Sequence, residues 1–139
     1  MAQGIVTIAE QRDGEIRKIS YELVSEARRL ADSLGQNVTA IVLGKDIKDK
    51  AASFGHYGAD KVMVVDDQRL ATYTTGAYVS VITELIKTLD PLIVLTGASL
   101  QGKDLSARLS ARLDVGMAQD CISFSIEDNK VGVFSALKT

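Results

Sequence analysis

The chain has few of the residue types on which specialised chemistry depends. Its single cysteine, Cys121, makes an intrachain disulfide impossible and suits a reducing, cytoplasmic compartment. With His56 as the only histidine, a zinc site would have to lean on carboxylates, against the usual ligand preference, so no metal site is expected. Tryptophan is absent and aromatics total 5%, which removes the stacking platforms of single-strand nucleic-acid binders. Positive charge is not in excess either: 16 Lys and Arg face 18 Asp and Glu, a formal net charge of −2, so the broad basic surface needed for nucleic-acid binding is excluded. No apolar run approaches the roughly 18 residues of a membrane span. Met1-Ala2-Gln3-Gly4 has no basic segment leading into an apolar one, and strand-like residues begin at Ile5, so no export leader is expected.

What is present is the composition of an ordinary globular domain, 46% hydrophobic and 24% charged over 139 residues. That length fits one domain, residues 1–139, able to bury about two thirds of the surface of its unfolded chain. Short β-branched runs alternate with helical patterns. Ile5 to Ala9 reads as a strand, followed by a polar loop with an Asp13-Gly14 turn. From Ile16 onward, Ile19, Leu23, Ala27, Leu30 and Leu34 recur at helical spacing, and Gly35 supplies the stop. Val38 to Leu43 is a second strand, and Asp46 is placed to cap a short helix carrying Ile47, Ala51 and Phe54. Lys61 to Val65 is a third strand. A helix over about Thr75 to Leu89 ends at Asp90-Pro91, because the residue before proline avoids helical geometry.

Leu92 to Leu95 then forms a fourth strand, broken by Thr96-Gly97-Ala98-Ser99-Leu100-Gln101-Gly102 before a helix expected over Lys103 to Leu113. Ile122, Phe124 and Ile126 alternate with polar residues, Asp128-Asn129 turns, and Val131 and Val133 alternate again, which reads as a C-terminal antiparallel hairpin. Buried strands alternating with helices imply right-handed crossovers and a doubly wound α/β fold with a mostly parallel sheet and an antiparallel tail.

In such sheets ligands sit beyond the carboxyl ends of the strands, here Ala9 to Arg12, Gly44, Asp66-Asp67 and Thr96 to Gly102. The glycine-bearing turn into the last helix is a generic anion seat, since unpartnered N–H groups and the helix dipole favour negative charge there. Its candidate residues are Gly97, Ser99, Gly102 and Lys103. Lys103 in the first turn calls for a nearby negative group, whether Asp104, a bound phosphate or a carboxylate from elsewhere. Neither the dinucleotide fingerprint nor the Walker loop is complete, because Lys103 is followed by Asp104 instead of Ser or Thr. The competing reading is that Gly97 and Gly102 only shape a turn and let the helix approach the sheet. Asp66-Asp67 reads as a capping or solvated pair and Cys121 as a packing thiol. Arg108 and Arg112, spaced at four from Asp104, either pair with it or grip a partner's carboxylate. No nucleophile, base and orienting residue assemble, so no catalytic residue is expected.

Gly58-Ala59-Asp60-Lys61-Val62, Gly97-Ala98-Ser99, and Gly102-Lys103-Asp104-Leu105 with Arg108-Leu109, Ala111-Arg112-Leu113 and Asp120 resemble the N-terminal domain of the electron transfer flavoprotein α subunit. The resemblance covers nearly the whole chain in element order and is most specific over Gly102 to Leu113. It implies an adenine-nucleotide α-hydrolase-like (HUP) domain that is not itself an enzyme. It also implies a scaffold that pairs with a β subunit of related fold and shuttles electrons from flavin dehydrogenases. It implies FAD in the full heterodimer, held mainly by a C-terminal domain of α that this chain does not include, and AMP in the β partner. The alternative from the same fold is a stand-alone adenine-nucleotide-binding regulatory domain of universal-stress-protein type.

Overall fold

Strand β1, Ile5–Ile8, is buried at every residue and lies in the middle of a six-stranded sheet. In the computed structural model, residues 3–121 and 132–136 are described. Along the chain follow a small hairpin, β2 (Gln11–Arg12) and β3 (Glu15–Ile16), then α1 (Lys18–Leu34), β4 (Val38–Gly44) and α2 (Lys48–Ala51), which runs on into a 3-10 segment at Ala52–Tyr57. Next are β5 (Lys61–Asp66), a 3-10 turn at Gln68–Leu70, α3 (Thr75–Leu89), β6 (Ile93–Gly97), α4 (Leu100–Leu113), β7 (Gly116–Cys121) and β8 (Gly132–Ala136). The sheet order is β5-β4-β1-β6-β8-β7, with every recorded pairing parallel. β1 pairs β4 on one side and β6 on the other, so the winding direction reverses between β1 and β6.

Period-two alternation divides the core into two layers. Ile5, Ala9, Val38, Ala40, Val42, Ile93 and Leu95 pack with Leu23, Val24, Ala27 and Leu30 of α1 and with Phe54. Val6, Ile8, Ile41, Leu43 and Val94 pack on the opposite side with Tyr78 and Ile82 of α3 and Leu105 and Leu109 of α4. Helices thus cover both faces, and the doubly wound α/β class of the HUP type is borne out. The expected antiparallel tail falls largely on Ile122 to Val131, outside the described residues. Its described end, Gly132–Ala136, extends the sheet parallel to both β6 and β7. The antiparallel hairpin that the described residues contain is β2–β3, where Asp13 and Gly14 both adopt positive φ, 52° and 82°. That two-residue turn matches the right-handed twist of paired strands, and the stretch expected as a polar loop forms a hairpin through it.

Three boundaries differ from expectation for physical reasons. Asp46 adopts φ 56° and does not cap α2; instead the Asp66 carboxylate accepts from the Asp46 and Ile47 N–H groups at 3.0 and 3.1 Å. Ile16 belongs to β3, so α1 begins at Lys18 and ends at Gly35 in the left-handed region (φ 65°), as expected. Helix α4 begins at Leu100, three residues before the expected Lys103, because Ser99 caps it: the Ser99 hydroxyl accepts from the Gly102 N–H at 3.0 Å. Gly102 is therefore inside the first turn. An added Cβ there would lie 1.9 Å from the Gly97 carbonyl oxygen, a backbone atom that cannot give way.

The motif Gly58 to Val62 also has a structural use. Arg28 reaches from α1 to the Gly58 carbonyl at 3.1 Å, the Asp60 carboxylate at 2.8 Å and the Gln36 carbonyl at 3.1 Å. The Asp60 carboxylate also accepts from the Val38 N–H at 2.8 Å. This backbone bond, with Arg28 beside it, holds the Asp60 carboxyl below its ordinary range.

Replacing Gly102 by alanine is expected to force α4 away from β6 and to lower stability by about 1–3 kcal/mol, the usual range of core overpacking. Urea denaturation of Gly102→Ala beside a surface control such as Ala107→Ser measures it, and a loss no larger than the control's would contradict the contact.

Candidate functional site

At the reversal point the carboxyl ends of β1 and β6 lie side by side, and the next residues are Ala9-Glu10-Gln11 and Ala98-Ser99. This is where ligands collect in open parallel sheets. Here the space is taken by the chain's own side chains. Glu10 is 3% exposed, although it is a carboxylate in a loop. Ser99 Oγ lies 2.7 and 2.8 Å from its two carboxylate oxygens, donating to them while accepting from the Gly102 N–H. Arg17 Nη1 stands 3.7 Å from Glu10 Oε1. The Glu10 backbone is pinned as well: its N–H donates to Ser20 Oγ at 2.8 Å, and its carbonyl accepts from Ser20 Oγ and from the Arg17 N–H.

Gln11 fills the adjoining space. Its amide nitrogen donates to the Leu70 and Ala71 carbonyls and to Tyr78 Oη, at 3.3, 3.0 and 3.1 Å, and its oxygen accepts from the Gly14 N–H. Gly44 lacks a side chain where Gln11 and Ile47 press in: a Cβ there would meet both at 3.1 Å. Burial pushes the Tyr78 phenol upward in pKa, partly offset by the Gln11 hydrogen bond.

Of the residues expected to form an anion seat, the structure brings Gly97, Ser99 and Gly102 together around Glu10. A Cβ on Gly97 would lie 2.4 Å from Glu10 Oε2 and 3.1 Å from Ile19. Lys103 is partly buried in the first turn of α4, its N–H donating to the Ser99 carbonyl. Asp104 faces away from the seat, accepting from Tyr73 Oη at 2.7 Å and Thr75 Oγ1 at 2.6 Å, and so ties the start of α4 to the start of α3. Asp66 and Asp67 both act as caps, as expected of that pair: Asp67 accepts from the Arg69 N–H, and the Arg69 guanidinium beside it pulls its carboxyl down to about 2. Sequence reasoning placed Ala9 to Arg12 at the ligand end of the sheet but gave Glu10 and Gln11 no part in the anion seat. The available signal was a polar pair directly after a short β-branched strand that is buried at every residue.

A second feature lies along the two helices on the other layer. Thr75, Gly76, Val79 and Ser80 of α3 and Ala107, Arg108, Ala111 and Arg112 of α4 line an open groove of about 570 Å³. Arg108 is 66% exposed with its Nε 4.0 Å from Asp104, a marginal ion pair, so the intrahelical pairing leaves the guanidinium largely at the surface. Among the described residues no His, Cys, Asp and Glu group could hold a metal ion, and no helix is long and apolar enough to cross a membrane.

A flavin dinucleotide bound at this point of the sheet would set its pyrophosphate against the N-terminus of α4. Glu10 holds that volume, so these residues do not fit the group.

The fold and site define a doubly wound α/β domain whose reversal point is filled from within, with a cationic groove on one helical layer. The family model for the electron transfer flavoprotein domain matches residues 5–137, and the chain belongs to that family. It is 42% identical over 125 residues to protein FixB of Clostridium saccharobutylicum, covering 90% of this chain and 37% of that protein. To the electron transfer flavoprotein subunit alpha of Megasphaera elsdenii it is 41% identical over 128 residues, 92% of this chain and 38% of the other. The acryloyl-CoA reductase electron transfer subunit beta of Anaerotignum propionicum is 40% identical over 126 residues, 91% of this chain and 34% of that one. The chain thus spans well under half the length of these relatives. The resemblance to the N-terminal domain of the α subunit is borne out, and the universal-stress-protein alternative is not favoured.

The Tyr73–Asp104 tie gives a pH signature. Burial, reinforced by the Asp104 hydrogen bond, pushes the Tyr73 phenol from its ordinary 10.0 up to about 12. Between those values the unfolded chain has lost a proton that the folded chain keeps, so stability falls as pH rises from about 10 to 12. Asp104 behaves oppositely: hydrogen bonds from Thr75 and Tyr73 depress its carboxyl below 3.8, so its contribution is present above that pH and is lost as pH falls through the lower folded value. Stability measured against pH is expected to decline less steeply above pH 10 in Tyr73→Phe than in the parent, and less steeply below pH 4 in Asp104→Asn. Superimposable slopes would contradict the tie.

Proposed function

We propose that this chain is the N-terminal scaffold domain of an electron transfer flavoprotein α subunit. In this reading it docks a β subunit of related fold and supports FAD-mediated electron transfer from flavin dehydrogenases. FAD is carried elsewhere in the full heterodimer, and AMP, where present, lies in the β partner. The domain is a carrier component in the cytoplasm, not a catalyst. The observation that carries this reading is the family match over residues 5–137, and the filled reversal point supports the absence of FAD from this domain.

Docking is assigned to the α3–α4 groove. Its floor of glycine, serine and alanine allows close approach of another backbone or side chain, and Arg108 and Arg112 stand on its rim as exposed donors for partner carboxylates. With a β subunit, Arg108→Glu is expected to weaken the heterodimer by about tenfold or more while leaving the thermal midpoint of the isolated chain within a degree or two, because an exposed helix residue contributes little to stability. Sedimentation or titration calorimetry of the pair measures it, and unchanged assembly would remove the groove from the interface. Purified alone, the chain is expected to leave gel filtration without flavin absorbance; retention of stoichiometric FAD would overturn the scaffold reading.

A further inference from the structure

We propose that Glu10 is a resident anion: its carboxylate occupies the phosphate seat at the N-terminus of α4, closes it to nucleotides, and leaves behind a latent anion site when removed. The seat is otherwise built as a phosphate site is built. It lies between β1 and β6, where the sheet changes winding direction. It has a serine hydroxyl at the helix cap, and glycines at 97 and 102 that bring the backbone in close.

What distinguishes it is the occupant. The volume that Gly97 vacates is filled by Glu10 Oε2, which a Cβ would approach to 2.4 Å. Ser99 Oγ lies within hydrogen-bond distance of both carboxylate oxygens and relays them to the Gly102 N–H, as it would relay a phosphate oxygen. The carboxylate is 97% buried, and among the described residues its ion pair is with Arg17, at 3.7 Å. A buried carboxylate so sparsely paired needs the hydroxyl and the positive end of the helix dipole to be tolerated. Those are the interactions that an incoming phosphate would seek. The backbone of Glu10 is fixed by Ser20 and by the Arg17 N–H, which anchors the base of the side chain beside the seat. A phosphate cannot enter without displacing a like charge already in place. The proposal concerns only this seat and is independent of the groove between α3 and α4.

The test compares the parent chain with Glu10→Ala, using inorganic phosphate and pyrophosphate as probes at constant ionic strength, read by calorimetry and by the amide shift of Gly102. The parent is expected to show no saturable response. Glu10→Ala is expected to bind pyrophosphate at least about tenfold more tightly than any parent response, with the Gly102 amide moving on saturation. Saturable binding to the parent at Gly102, or a folded Glu10→Ala that gains nothing, would overturn the proposal. If Glu10→Ala is too unstable to titrate, its thermal midpoint in phosphate and in chloride is compared with that of Leu30→Ala, a core variant near the far end of α1. Phosphate also strengthens folding non-specifically, so only a rise beyond that of Leu30→Ala supports a site. An equal rise in both variants overturns it.

Discussion

The approach of α4 to β6 is the contact on which the site end of this molecule depends. Gly102 comes so near the Gly97 carbonyl that no side chain could separate them. With that distance set, Ser99 caps the helix and reaches Glu10, and Leu105 and Leu109 drop into the layer with Val6, Ile8 and Val94. Asp104 is brought to Tyr73 and Thr75, which sets α3 against α4 and creates the groove between them. One glycine pair thus determines both how the reversal point is filled and what the helical layer offers to another chain.

Acidic residues at the strand ends are consumed internally. Asp60 accepts the Val38 N–H and Arg28, Asp66 accepts two N–H groups ahead of α2, Asp67 accepts the Arg69 N–H, and Glu10 takes the Ser99 hydroxyl. Each carboxylate meets donors that an element start would otherwise leave without a partner, which is a common solution where helices and strands begin at a crowded sheet edge. This arrangement makes rigidity the product of the polar groups at the sheet edge. The cations of the groove point outward by contrast, with Arg108 only marginally paired.

Much of this was legible in the residues. The apolar runs at Ile5, Val38, Lys61 and Leu92 gave four of the six sheet strands, and the spacing of Leu23, Ala27 and Leu30, or of Tyr78, Ile82 and Ile86, gave the buried faces of α1 and α3. Thr75 to Leu89 was bounded correctly because Asp90-Pro91 stops a helix by local sterics, here with Asp90 at φ 47°. The start of α4 was not legible: Gly102 resembles a turn residue, and only its packing against Gly97 shows why a helix tolerates it. The hairpin at Gln11–Ile16 was missed because two-residue strands carry too little pattern to announce themselves.

By itself, then, the sequence determined the doubly wound class and the order of its main strands and helices, since periodicity, caps and turn chemistry are local and survive being read one window at a time, while the likeness to the family rests on its motif residues from Gly102 to Leu113. Who occupies that turn was decided by tertiary structure alone. Glu10 and Ser99 are 89 residues apart in the chain. They meet because parallel pairing of β1 with β6 brings two strand ends together, and no local pattern records which strand will lie beside which. The same holds for the groove, whose two walls are set by Asp104 reaching across 31 residues to Tyr73. A carboxylate in a loop reads as solvated until the sheet closes over it, and in this protein that closure turns an apparent phosphate seat into a filled one.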